Sequence, residues 1–227
     1  RESIFPGAQQ ADWKTWAQVI RRYYAQAAMV DYEVGRLLQA LRDYDLYEDT
    51  LIVFASDHGE SIGIHGGAFD KGGMAYEEIY QIPFLLKMPG NQRAGEQSDA
   101  LVSLFDLAPT FCDLAGQQPP PMDAQTLRPL LEGREGVSRD YLLSEDHGHR
   151  VPFGQRILWG ERYKYVWNLS DVDEFFDLQE DPGEMQNLIH SPDHQPILAS
   201  FRKPTLKAVR ESGDPLGPQV TQMLQER

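Results

Sequence analysis

Between Asp12 and Leu41, apolar side chains recur every three or four residues: Trp16, Ile20, Tyr23, Ala27, Val30, Val34, Leu37 and Leu41. That spacing predicts one amphipathic helix about 45 Å long at 1.5 Å per residue, with Asp12 as its N-cap. So long a helix needs a large surface to cover its apolar face. After it, Thr50-Leu51-Ile52-Val53-Phe54-Ala55-Ser56 is a continuous apolar run. Runs without alternation read as central parallel strands buried on both faces. A long helix leading into such a strand resembles the second half of a strand–helix–strand crossover, so the first strand is expected upstream of residue 1.

Residues 57–74 hold six glycines and read as a loop. A short helix is expected over residues 75–81, and a second strand over 83–88, closed by Pro89-Gly90. Residues 106–115 predict a helix with Asp106 as N-cap, Pro109 in the first turn and Gly116 as the stop. Pro119-Pro120-Pro121 marks a stiff connector. Beyond it the period changes. Residues 141–144, 156–159, 163–167 and 174–177 are short and rich in aromatic and branched side chains, which predicts an antiparallel meander with a tight turn near Gly160. After Leu188 the chain is polar and dotted with proline, and a loose tail with one helical stretch is expected. The resulting division is an α/β part over residues 1–118, a small antiparallel α+β subdomain over 119–190 and a tail over 191–227.

Composition supports a globular protein: of 227 residues, 41% are hydrophobic and 25% charged, enough for a buried core. The net charge of −14 disfavours sequence-independent nucleic-acid binding, which needs clustered Lys and Arg to neutralise phosphates. A local positive pocket for an anionic substrate remains compatible with it. Cys112 is the only cysteine, so no intramolecular disulfide can form. No run of about 18 apolar residues predicts a membrane-spanning helix. The opening residues RESIFPGAQQ have neither the apolar stretch nor the cleavage site of a signal peptide. With the true amino terminus expected upstream, these residues do not decide between a cytoplasmic and a periplasmic address.

The densest chemistry is Ser56-Asp57-His58-Gly59-Glu60, directly after the apolar run. Open α/β sheets bind ligands at the carboxyl ends of their strands. There a carboxylate offers a hard oxygen and an imidazole one ring nitrogen to a metal ion, and Gly59 lets the backbone turn so that both point the same way. Residues 50–90, TLIVFASDHGESIGIHGGAFDKGGMAYEEIYQIPFLLKMPG, closely resemble the sulfatase family of the alkaline phosphatase superfamily. There, a strand ending in Ser/Thr-Asp-His/Asn-Gly is followed by a glycine-rich loop with a lysine, then Tyr-Glu-Glu, then an Ile/Val-Pro strand ending in Pro-Gly. Residues 24–41 resemble the family's long helix, and residues 103–110 its Asp-Leu-x-Pro-Thr helix start. Arg162-Tyr163-Lys164-Tyr165, Phe176-Asp177-Leu178 and Asp181-Pro182-Gly183-Glu184 with Asn187-Leu188 resemble its carboxyl-terminal small domain. The similarity covers about residues 12–190.

This resemblance implies the carboxyl-terminal half of an alkaline phosphatase-like fold: a mixed, largely parallel sheet flanked by helices, with a small antiparallel subdomain. Asp57 and His58 match the family's second pair of metal ligands. Calcium is implied, with manganese as the alternative, because His58 is shared with relatives that cleave phosphonate or phosphate esters. Lys71 matches the lysine that contacts the sulfate group, where an ammonium neutralises a transferring anion. His65, in the same loop, is placed to protonate a leaving group or bind the anion. Glu77 and Glu78 read as helix carboxylates paired with Arg or Lys. His147 and His149 are expected at a pocket rim rather than in catalysis.

The implied activity is hydrolysis of a small-molecule or carbohydrate sulfate ester by a formylglycine nucleophile. No Cys/Ser-x-Pro/Ala-x-Arg motif occurs in this chain, and Cys112 reads as a small core residue. By this reading the chain alone does not turn over. A phosphonate monoester or phosphodiester hydrolase is the alternative within the superfamily, and a non-catalytic scaffold remnant the alternative outside enzymes.

Overall fold

The computed structural model describes residues 11–226 apart from 69, 72, 135, 137–138 and 149–153. These fall into two compact units, residues 1–72 with 78–98 and residues 73–77 with 99–227.

In the first unit, helix α1 (Trp13–Asp43) runs for 31 residues. Asp12 caps it as its short carboxylate side chain predicts: Oδ1 accepts from the Thr15 amide at 2.8 Å and from the Thr15 hydroxyl at 2.7 Å. No residue of α1 is buried, and Val30 and Leu37, on the predicted apolar stripe, are 52% and 67% exposed. Strand β1 (Ile52–Ala55) leads into α2 (Ile64–Gly67), a tight turn with left-handed backbone at His65 and Gly66, then the one-turn helix α3 (Glu77–Tyr80) and strand β2 (Phe84–Lys87). The expected helix over residues 75–81 is thus confined to a single turn.

The direction of β1 departs from expectation. It pairs antiparallel with β2, from Ile52 opposite Lys87 to Ala55 opposite Phe84. Every strand pairing among the described residues is antiparallel. A continuous apolar run carries no information about strand direction, and within this chain no residue of β1 is fully buried. Phe54 and Leu85, directly opposite one another in the register, remain 38% and 59% exposed, so this two-stranded sheet has apolar surface to spare.

The second unit holds helices α4 (Leu107–Leu114) and α5 (Arg128–Leu131) and strands β3 (Leu142–Asp146), β4 (Gln155–Trp159), β5 (Tyr163–Asn168) and β6 (Glu174–Asp177). The four strands form the expected antiparallel meander in sequence order. Asp106 does precede α4, but its carboxylate does not cap that helix. It turns back onto the Ser103 amide at 2.9 Å, which closes a 3-10 turn over Leu104–Asp106. Arg139, bound to both Asp106 oxygens at 2.8 Å, draws the side chain in that direction.

The carboxyl-terminal stretch is no loose tail. Helix α6 (Gln195–Glu211) buries Leu198, Phe201, Thr205 and Val209 at helical spacing, and α7 (Gly217–Glu226) adds Val220 and Leu224. They pack with Leu158, Tyr165, Trp167 and Phe175 into one core. At the β4–β5 turn a Cβ on Gly160 would come within 2.8 Å of the Phe201 ring, so only glycine lets helix and hairpin approach this closely. No helix among the described residues is long and apolar enough to cross a membrane.

Candidate active site

Past the end of β1 the backbone turns sharply. The Ser56 hydroxyl donates to the His58 carbonyl at 2.8 Å, and the His58 amide to Asp57 Oδ1 at 3.0 Å. These local bonds put the Asp57 carboxylate and the His58 ring on the same side, with Oδ2 and Nε2 3.4 Å apart. The Asp57 side chain is 83% exposed and that of His58 33%. His58 Nδ1 lies 2.7 Å from the Gly59 carbonyl. A carbonyl can only accept, so Nδ1 carries the hydrogen and Nε2 is the ring nitrogen that faces Asp57. Metal-binding histidines are set by this kind of outer hydrogen bond. A carboxylate oxygen and a ring nitrogen 3.4 Å apart leave a place for a proton or a cation between them.

Behind this pair the loop is tied to α3. The Gly59 amide donates to the Ile79 carbonyl at 2.8 Å and the Glu60 amide to the Glu78 carbonyl at 2.9 Å. A Cβ on Gly59 would stand 1.9 Å from the Glu78 oxygen, so the residue after Asp57-His58 must be glycine for this contact to exist. Ser61, fully buried, closes the loop by donating to the Asp70 carbonyl. Three non-glycine residues within it, Ile62, His65 and Asp70, hold positive φ (22°, 46° and 67°). Left-handed backbone at such residues costs of order 1–3 kcal/mol each and concentrates at ligand sites.

His65 is nearly enclosed, its Nε2 3.7 Å from Glu78 Oε2. Lys71 is exposed, and the Asp70 carboxylate accepts from its amide at 2.8 Å. Among the described residues no hydrogen bond or ion pair joins the Lys71 side chain to Asp57 or His58. The structure brings Asp57 and His58 side by side, with Lys71 and His65 further along the same loop.

Glu77 pairs with a lysine as expected, though in the interior: its carboxylate receives Lys164 Nζ at 3.0 Å. Glu145 and His147, which the sequence already sets two residues apart, meet Asp214 in a second cluster whose ligand atoms lie within 4.8 Å of one another, and only Asp214 gives no sign of itself in the sequence. Asp214 is already neutralised there by the buried Arg156 guanidinium, which leaves that cluster poorly suited to a cation. His149 lies outside the described residues. A cavity of about 1010 Å³ opens in the second unit beside Asp171, Asp173, His190 and Arg202 and is lined by none of the expected site residues.

Comparison with known proteins gives this geometry its context. Residues 3–117 match the family described as Sulfatase, and residues 63–212 match the family described as N-sulphoglucosamine sulphohydrolase, C-terminal. An arylsulfatase of Clostridium perfringens is 31% identical over 201 residues, covering 84% of this chain and 40% of the relative. Among solved structures, a 2-O GAG sulfatase superposes with a TM-score of 0.84 at 30% identity over 91% of this chain and 46% of the other. The phosphonate monoester hydrolase of Agrobacterium radiobacter gives 0.73 at 30% identity over 84% and 40%. The chain spans about 40% of the length of the curated relatives it matches. Its fold class is the alkaline phosphatase-like α/β fold of these neighbours, in its carboxyl-terminal part with the antiparallel subdomain. With more than half of its residues inside the matching region, the chain belongs to the sulfatase family.

Proposed function

We infer that this chain supplies cation- and anion-holding residues to a hydrolase of aryl or carbohydrate sulfate esters. The observation that carries the reading is the opposed pair Asp57 Oδ2 and His58 Nε2, with the imidazole tautomer set by the Gly59 carbonyl. One carboxylate and one imidazole nitrogen fit a divalent ion, calcium in the first place and manganese as the alternative. They fill only part of its shell, so further ligands come from outside these residues. When bound, such an ion supplies Lewis acidity toward an ester oxygen.

The chain's own groups have definite parts in this reading. Asp57 neutralises the cation and His58 offers it a lone pair. The Lys71 ammonium faces the anionic group and disperses the charge that builds up as the ester bond breaks. His65 holds a proton at Nε2 for the departing alcohol, with Glu78 beside it to steady the imidazolium. No nucleophile motif occurs among the 227 residues, so the formylglycine of this reading is supplied from elsewhere and the chain alone turns over no ester.

A second reading, phosphonate monoester hydrolysis, is favoured by histidine at position 58 and by the likeness to the Agrobacterium enzyme. Both readings share the cation site, which is tested first. Manganese titrated into the metal-free chain should broaden the NMR signals of the His58 ring and the Gly59 amide before others. Asp57→Ala should abolish this more completely than His58→Ala, because the carboxylate both ligates and neutralises. Broadening spread evenly over the acidic surface would sink the assignment. Turnover of aryl sulfate against aryl phosphonate, by a protein that joins this chain to its upstream catalytic part, then separates the two readings.

A further inference from the structure

Lys71 follows a loop that is tied to itself inside the first unit. Ser61 has no exposed surface, and each of its polar groups is engaged. Its amide donates to Glu60 Oε1 at 3.1 Å and its carbonyl accepts from the Ile64 amide at 2.9 Å. Its hydroxyl donates to the carbonyl of Asp70, nine residues further on. Between these ends the Gly63 amide donates to the Ala68 carbonyl and the Ala68 amide to the Ile64 carbonyl, each at 2.7 Å. The loop rests on α1, where a Cβ on Gly63 would come within 2.7 Å of the Trp16 ring. Compact loops with joined ends give functional side chains a fixed base. Alanine would fill nearly the same space as Ser61, and burying a hydroxyl costs free energy unless it is bonded, so the residue type at this position answers to its bond with Asp70.

Asp70 completes the clasp. Its backbone is left-handed, with φ 67°, a conformation that Asp and Asn tolerate better than most residues because their short polar side chains bond locally. Here Oδ1 accepts from the Lys71 amide at 2.8 Å. The Asp70 carbonyl and the Lys71 amide belong to one planar peptide group, which is therefore held from both sides: its oxygen by Ser61, its N–H by the Asp70 carboxylate. We propose that Ser61 and Asp70 are positioning residues for Lys71: together they pin the peptide group ahead of it and so fix the base from which its ammonium meets an anionic group. The functional half of this assignment rests on the reading of Lys71 as an anion-holding residue, while the geometric half does not.

NMR relaxation of backbone amides on the metal-free 227-residue chain tests the geometric half. In wild type the Lys71 amide should have an order parameter of about 0.85, the value of rigid backbone. Ser61→Ala should lower it below about 0.6, while Val34 in α1 of the same unit stays rigid. Asp70→Asn keeps an oxygen acceptor and the tolerance for left-handed backbone, so it should match wild type. Asp70→Ala keeps neither and should behave as Ser61→Ala does. In the protein that joins this chain to its upstream catalytic part, Ser61→Ala should lower kcat/KM for an aryl sulfate by about tenfold, as a small misplacement of a charge donor does. Added to Lys71→Ala, it should cost nothing further. A Lys71 order parameter that Ser61→Ala leaves unchanged, or lowers only together with that of Val34, overturns the proposal, and so do Ser61→Ala and Lys71→Ala losses that simply multiply. Should Ser61→Ala not fold, the contrast between Asp70→Asn and Asp70→Ala decides in the same way. Unchanged turnover in Lys71→Ala would refute the anion reading alone, and the order parameter would still decide whether the clasp fixes Lys71.

Discussion

Asp106 offers the sharpest test of how the second unit is held together. Its carboxylate is fully buried and makes four bonds: Arg139 Nη1 and Nη2 at 2.8 Å each, and the Ser103 and Gln125 amides at 2.9 and 3.0 Å. Asp106→Asn keeps the size but removes the charge, leaving a guanidinium that is 8% exposed without its counterion. Breaking one side of a buried pair costs about 3–5 kcal/mol. At a urea dependence of about 2 kcal/mol/M, that moves the unfolding midpoint down by about 1.5–2.5 M. Asp106→Asn combined with Arg139→Met removes both charges and should recover a good part of the loss, since an apolar replacement of a buried pair is often neutral.

The same carboxylate predicts the acid limb of stability. Burial alone would raise its pKa, but the Arg139 guanidinium and the two amides outweigh burial and hold it below the usual carboxylate range. A depressed folded pKa stabilises above the unfolded value, near 4, and that contribution disappears as pH falls through the folded pKa. Wild type should therefore lose stability below about pH 4 more steeply than the double variant. Urea titrations followed by tryptophan fluorescence and circular dichroism, at pH 7 and along a series to pH 3, measure both effects. Single variants within about 1 kcal/mol of wild type, or costs that simply add in the double variant, would refute the account.

Two further outcomes are expected at the candidate site. Lys71→Ala, in a protein that joins this chain to its upstream catalytic part, should lower turnover of an aryl sulfate by roughly 10²–10³, as for the loss of one preorganised charge donor; unchanged turnover would return Lys71 to an ordinary exposed loop residue. Gly59→Ala must push the loop off α3 and weaken the two amide–carbonyl bonds there. At about 1 kcal/mol each, that is a loss of roughly 2 kcal/mol, and a melting temperature lower by about 4–8 °C checks it.

Local signals in the sequence proved good guides to what neighbouring residues decide among themselves. Asp12 as a cap, the strand before Asp57 and the meander from Leu142 to Asp177 depend on spacing and side-chain type within a few residues. The direction of β1 did not follow, because its apolar run answers to burial and not to which strand lies alongside. Helices α6 and α7 were hidden by the prolines and charges interleaved with Leu198, Phe201, Val209 and Val220, although the apolar spacing is helical. At the site, Asp57 and His58 were legible as adjacent residues at the end of a strand. The buried charge group of the second unit was not: Lys164 meets Glu77 across 87 residues, and Glu184 meets it across 107. Nothing in a local pattern encodes a pairing at that range.

The tight seat of Trp16 has an optical consequence. A Cβ on Gly63 would lie 2.7 Å from Trp16 Cε3, so the indole presses directly on the backbone of the loop that carries His65 and Lys71. Of the other tryptophans, Trp13 is 75% exposed, and Trp159 and Trp167 are buried in the second unit. A chain with Trp13, Trp159 and Trp167 replaced by phenylalanine would emit from Trp16 alone. Its emission maximum and lifetime would then report rearrangement of that loop, with no dye attached and no substrate turned over.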